Sequence, residues 1–287
     1  MALEPDLKKR LRSDRAEMLI TDAETAATMI QDGMAVGISG FTNAGYPKVV
    51  PHALAEQIKN GRKVKIALYS GASVGPEVDT ELTEAGAIAK RIPYQTNSAL
   101  RKAINDGKVG YVDMHLGRSP EFVAAGHVRK PDIALVEALA ITEDGHLIPT
   151  TSVGNTPTYV AEADTVIVEI AMSKPLALEG MADVYMCQKP PCRQPIPLTH
   201  PGDRIGTPYI PCGWDKIKAI VISDRSDLTR PLAAISEDSK KIGQNIIRFF
   251  EDEVAAGRLG KSLLPIQSGV GSVANAVLYG LRDSAFE

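Results

Sequence analysis

The sequence predicts an α/β protein built on a mostly parallel sheet with helices on both faces. Three observations carry this. Short continuous apolar runs, Met34–Ser39, Val64–Ser70, Ile133–Ala138 and Thr165–Ile170, have the length and β-branched content of fully buried strands. Helical segments stand between several of them, so each connection is long enough for a parallel crossover. A chain of 287 residues has room for one large α/β unit or about two domains.

The elements follow in order. Thr21-Asp22-Ala23-Glu24 reads as a capping box with Thr21 at the N-cap, opening a helix that should stop at Gly33. Met34–Ser39 leads into a glycine-containing loop and a helix through Ala53–Lys59, after which Val64–Ser70 ends at Gly71. Between the strands Ile133–Ala138 and Thr165–Ile170, Glu143-Asp144-Gly145-His146 predicts a tight hairpin. From Met172 to Trp214, eight prolines exclude any long helix or central strand. Strand character resumes at Ile217–Ile222. Glu237–Ala256 carries an apolar stripe of Ile242, Ile246, Ile247, Phe249, Phe250 and Val254, and Val273–Leu281 is a second apolar helix.

Composition excludes several functions. Lys+Arg at 32 against Asp+Glu at 35 gives a net charge of −3, too little field for a nucleic-acid or anionic-membrane partner. No apolar run is long enough to span a bilayer, and the charged N-terminus has no apolar core of a signal peptide. Three cysteines, Cys187, Cys192 and Cys212, cannot form a disulfide framework, which points to a reducing cytosol.

Candidate chemistry falls into four groups. Gly71-Ala72-Ser73-Val74-Gly75 matches G-x-S-x-G after a strand, the pattern of a nucleophile elbow presenting Ser73, with His115, His127, His146 or His200 as its base. Pro76 and Glu77 before the next helix argue against it; the other reading is a loop through which backbone approaches a ligand. Cys187, Cys192, His200 and Cys212 lack structural-zinc spacing, so we expect no metal. Glu137 and Glu169 sit inside apolar strands, each either a general base or an anchor for a neighbouring loop through backbone amides. Gly37–Gly45 is neither a Walker A loop nor a dinucleotide fingerprint, whereas Gln267-Ser268-Gly269-Val270-Gly271-Ser272 opens a helix and suits an anion.

Taken in order, these segments resemble the acetyl-CoA hydrolase/transferase family, class I CoA-transferases that include succinyl-CoA:acetate CoA-transferases. The likeness rests on Ser39-Gly40-Phe41-Thr42 with Gly45-Tyr46-Pro47-Lys48, Gly71-Ala72-Ser73 with Gly75-Pro76, and Val136-Glu137-Ala138 with Ile141–Gly145. It continues through Ser152-Val153-Gly154-Asn155 to Leu263–Gly271 with Ala274-Asn275-Ala276-Val277.

The resemblance implies two tandem α/β domains of the class I CoA-transferase type. Residues 1–230 would form the first, and 231–287 the beginning of the second. It also implies covalent catalysis by a glutamate of the second domain through an acyl-glutamyl anhydride and a glutamyl-CoA thioester. Gln267, Ser268, Gly269, Val270 and Gly271 carry over as part of the CoA site. Ser73, Thr96 and Arg225 carry over as lining of a small-carboxylate pocket. Acetyl-CoA and acetate or succinate are then substrates, with no permanently bound cofactor. The nucleophile's motif is expected just beyond Glu287, so no catalytic residue is assigned in this chain, and a homodimer or assembly with the missing half is expected. The competing readings are a serine thioesterase using Ser73 and a non-catalytic binding half.

Overall fold

The computed structural model describes residues 4–229, 234–264, 266–269 and 271–286. Two compact units divide at Thr229/Arg230. Among the described residues the first unit holds ten strands: β1 (Ile20–Thr21), β2 (Ala35–Gly37), β3 (Ile66–Tyr69), β4 (Ile88–Ile92), β5 (Gly110–Tyr111), β6 (Ile133–Ala138), β7 (Ala140–Ile141), β8 (Leu147–Ile148), β9 (Thr165–Ala171) and β10 (Ile217–Ser223). Eight form one sheet in the order β1-β10-β9-β6-β2-β3-β4-β5, and every neighbouring pair is parallel. The predicted fold class is therefore the observed one.

Alternation along the strands sends side chains to two cores. Val36, Ile38, Ile66, Leu68, Ile133 and Leu135 pack on one face; Ala35, Tyr69, Ala134, Val136 and Val168 pack on the other. From β2 the chain steps outward through β3, β4 and β5, then returns to place β6 on the other side of β2. The connections diverge at that point, the place in the strand order beyond whose carboxyl ends sheets of this class bind ligands.

Several local expectations shift. The helix predicted from the capping box is Ala23–Thr28, and its N-cap is Asp22, not Thr21: the Asp22 carboxylate accepts the Thr25 amide at 2.6 Å. A carboxylate answers the helix's positive end better than a hydroxyl, which moves the boundary by one residue. The helix predicted from Ala53 already begins at Val49 and runs to Lys59. β7 and β8 form the expected hairpin. The proline-rich excursion closes on itself at the bridge Val184↔Thr207, where Asp183 accepts the Ile205 and Gly206 amides, and it rejoins the hairpin at Leu147↔Ile210. After β10 the chain is held at two points: Met172 donates to the Ser223 carbonyl at 2.7 Å and the Asp227 side chain is 4% exposed.

In the second unit, helix Glu237–Ala255 is capped by Ser236, whose hydroxyl accepts the Ser239 amide. It crosses helix Ser272–Arg282 where Gly243 meets the Ala276 carbonyl, and a Cβ at Gly243 would lie 2.7 Å from that oxygen. Of the predicted apolar stripe Ile247 is buried, while Ile242 and Phe249 are exposed. Among the described residues no helix is long and apolar enough to cross a membrane.

Candidate functional site

The register of β6 and β9 sets Glu137 directly beside Glu169 near the carboxyl ends of both strands. Two buried carboxylates side by side repel unless each is answered. Glu169 is answered by backbone: it accepts the amides of Lys48 (2.7 Å), Val49 (3.1 Å) and Val50 (2.7 Å), the unpaired donors at the start of helix Val49–Lys59. This is the loop-anchor reading. Glu137 is answered by the Lys48 ammonium and by the Thr150 hydroxyl at 2.7 Å.

Lys48 is wholly buried and also pairs with Asp227 at 2.8 Å, donates to the Tyr46 carbonyl, and lies over the Tyr46 ring. Asp227 pairs in turn with Lys174 and accepts the Gly45 amide at 3.3 Å. Two lysines and two carboxylates thus balance in charge across the loops that follow β2, β6, β9 and β10. Burial pulls the Lys48 ammonium down, but Glu137 and Asp227 outweigh it and hold the pKa above its ordinary value. Burial pushes Asp227 up, and Lys174 with Lys48 brings it below the usual carboxylate range.

Burial pushes the Glu169 carboxyl up to about 7 against the pull of its three amides. A carboxyl raised on folding contributes stability that is present in full below about pH 4.5 and is lost as pH rises through about 7, a span on the order of 3 kcal/mol. The melting temperature of the parent chain relative to that of the non-titrating Glu169→Gln variant should therefore fall as pH rises from 5 to 8. Thermal unfolding across that range checks this; a relative melting temperature that stays constant or rises with pH contradicts it.

A second polar node lies at the end of β3. The Ser70 amide donates to the Ile92 carbonyl, while its own carbonyl accepts Tyr159 Oη at 2.6 Å and Asn155 Nδ2 at 3.1 Å, and its hydroxyl accepts Arg91. Arg91 and Asp79 form a buried pair at 3.0 Å. The Asn155 amide also donates to Ser39 Oγ at 2.9 Å, which joins the β2 loop to the same node. Beyond Ser70 the chain passes Gly71-Ala72-Ser73 and Gly75, where a Cβ would fall inside the Tyr46 phenol; only glycine fits there. Tyr46 Oη donates to Glu77 Oε2 at 2.8 Å, and Glu77 Oε1 faces Arg225 Nε at 3.9 Å.

Ser73 is buried on the loop after β3 and Arg225 follows β10, and Glu77 links their two loops. Thr96 follows β4, and its carbonyl accepts from Arg101. All three stand beyond carboxyl ends of strands in one sheet. Three residues separate Ser73 from the helical turn Glu77–Glu81, so the sharp strand-to-helix turn of a nucleophile elbow is not formed. Among the described residues no histidine hydrogen-bonds Ser73: His52 pairs with Glu81, His127 packs on Phe122, His146 stacks on Tyr209, His200 faces Asp203, and His115 precedes the turn Leu116–Arg118. Gln267, Ser268 and Gly269 are exposed in the second unit ahead of helix Ser272–Arg282, whose N-cap is Gly271; Val270 and Glu287 lie outside the described residues. Cys187 and Cys192 are exposed and free, and among the described residues no His/Cys/Asp/Glu group could hold a metal ion.

Lys48, Asp227, Tyr46, Glu77 and Asn155 have no assigned role in the sequence reading. Two signals were available: the pair of glutamates, since buried carboxylates demand partners, and the motifs of the family resemblance, which contain Tyr46, Lys48 and Asn155.

The acetyl-CoA hydrolase/transferase N-terminal domain model matches residues 5–240. A succinyl-CoA:acetate CoA-transferase of Clostridium kluyveri is 51% identical over 98% of this chain and 52% of its own length. An acetyl-CoA hydrolase of Yarrowia lipolytica is 40% identical over 88% of this chain and 50% of its own. The chain thus spans about half the length of these curated relatives. Among solved structures, RipA from Yersinia pestis superposes with a TM-score of 0.61 at 18% identity, covering 99% of this chain and 56% of that one. A 4-hydroxybutyrate CoA-transferase from Porphyromonas gingivalis gives 0.52 at 16%, covering 93% and 52%; at such identities the likeness is one of fold.

Proposed function

The chain belongs to the acetyl-CoA hydrolase/transferase family, and from that premise we propose that its carboxyl-edge loops receive a small carboxylate, acetate or succinate, in acyl-CoA transfer or hydrolysis. Ser73, Thr96 and Arg225 line that pocket, and Gln267–Gly271 contributes to the CoA site. The observation that carries the reading is Arg225: an exposed side chain, 40% accessible, facing Glu77 of the segment that follows Ser73, beyond the carboxyl end of a strand in a parallel sheet. CoA is a substrate here, and no permanently bound cofactor is invoked. Residues 1–230 act as the first domain and 231–287 as the beginning of a second, and the protein works as a homodimer or with a further chain. The compartment that fits this chemistry and the free cysteines is the cytoplasm.

The covalent step proceeds by attack of a glutamate carboxylate on the acyl-CoA carbonyl with departure of the CoA thiolate. The thiolate then attacks the glutamyl carbonyl of the anhydride, giving a glutamyl thioester and releasing the acyl group as its carboxylate. We assign that glutamate to none in this chain. Glu169 is committed to three amides, Glu137 to Lys48 and Thr150, and Glu77 to Tyr46. Incubation with acetyl-CoA, borohydride reduction and mass spectrometry should find no reduced glutamate in these 287 residues. A reduced Glu77, Glu137 or Glu169 contradicts the assignment.

A further inference from the structure

We propose that Glu77 is the positioning residue of the carboxylate pocket: it holds the Nε edge of Arg225 and turns the two Nη groups toward the ligand. The inference rests on the function proposed above and names how the pocket's cation is set. Glu77 is 2% exposed, so its carboxylate cannot follow solvent or swing away. One oxygen is fixed by Tyr46 Oη at 2.8 Å, and the other faces Arg225 Nε at 3.9 Å. Tyr46 is fully buried, and the absence of a side chain at Gly75 lets its phenol reach Glu77.

Among the described residues Arg225 has no comparable side-chain restraint besides Glu77. Its amide donates to Ser223 Oγ at 3.3 Å and its carbonyl accepts from Ser173 Oγ at 3.4 Å, which fixes the backbone. Along the side chain, the ion pair with Glu77 is what orients the guanidinium. A guanidinium held at Nε keeps its two Nη groups paired in the plane that a carboxylate's two oxygens match. Preorganisation of this kind removes the cost of ordering a long side chain when the ligand arrives.

The test combines a double-mutant cycle with a ligand-independent probe. Acetate binding to the full chain is measured by calorimetry for the parent, Glu77→Gln, Arg225→Ala and the double variant. Glu77→Gln keeps an acceptor for Tyr46 and should weaken acetate binding by roughly five- to tenfold, yet cause no further loss once Arg225 is alanine. Tyr46→Phe should weaken it in the same direction and by less. Separately, 15N relaxation of the Arg225 Nε–H should report a more mobile side chain in Glu77→Gln. An unchanged Arg225 order parameter overturns the inference, as does an equal loss with and without Arg225. A parent chain that binds no acetate contradicts the functional reading alone, and the order parameter still decides the role of Glu77.

Discussion

Lys48→Met should destabilise the first unit by about 3–5 kcal/mol, the cost of removing one partner from a buried ion pair. The methionine keeps most of the buried volume, so the loss is electrostatic rather than a cavity. Lys48 is wholly buried and answers both Glu137 and Asp227. Without it Glu137 retains only the Thr150 hydroxyl, and it lies in register with Glu169 on the next strand. Asp227 retains Lys174 and the Gly45 amide. The two carboxylates can relieve the strain only by taking up protons, so the variant should lose least at acidic pH. Urea unfolding at pH 5 and pH 8 measures both effects. A loss below about 1 kcal/mol at both values would mean that the four charges are solvated rather than locked together.

Arg225→Ala should have the opposite profile, with little effect on folding and a large effect on ligand. Its side chain is exposed, and its charged contact with Glu77 is long at 3.9 Å. A paired charge-assisted hydrogen bond to a carboxylate contributes about 1.5–3 kcal/mol, so acetate or succinate affinity should fall roughly 10- to 100-fold. Melting temperature should move by no more than a degree or two. Calorimetry beside thermal unfolding separates the two. Unchanged affinity, or a collapse in stability of the same size as the loss in binding, contradicts the assignment of Arg225 as a receptor.

The strands were legible where burial writes a continuous apolar run. β6, β9 and β10 read directly as Ile133–Ala138, Thr165–Ile170 and Ile217–Ile222. β4 did not, because Ile88–Ile92 carries Lys90 and Arg91; Arg91 is buried only because Asp79, on a separate helical turn, pairs with it. That pairing is a tertiary fact with no local signature. The capping residue was misread by one position for a related reason, since Thr21 and Asp22 are both competent caps and the backbone path chooses between them.

The site shows the same division. Glu137 and Glu169 were recognisable as carboxylates in apolar strands, and the requirement for partners followed from burial alone. Which groups would answer them could not follow, because Lys48 and Asp227 come from loops after β2 and β10, brought together by the strand order. Ser73 and Arg225 entered by resemblance. The structure adds the Tyr46–Glu77 link between their loops.

The most direct test is a crystal structure of the chain soaked in succinate, a carboxylate that does not alkylate the exposed thiols Cys187 and Cys192. The expected result is a carboxylate against the Arg225 guanidinium, near Ser73 and Thr96, beyond the carboxyl ends of β3, β4 and β10. Succinate located elsewhere, or no ordered succinate at saturating concentration, would contradict it.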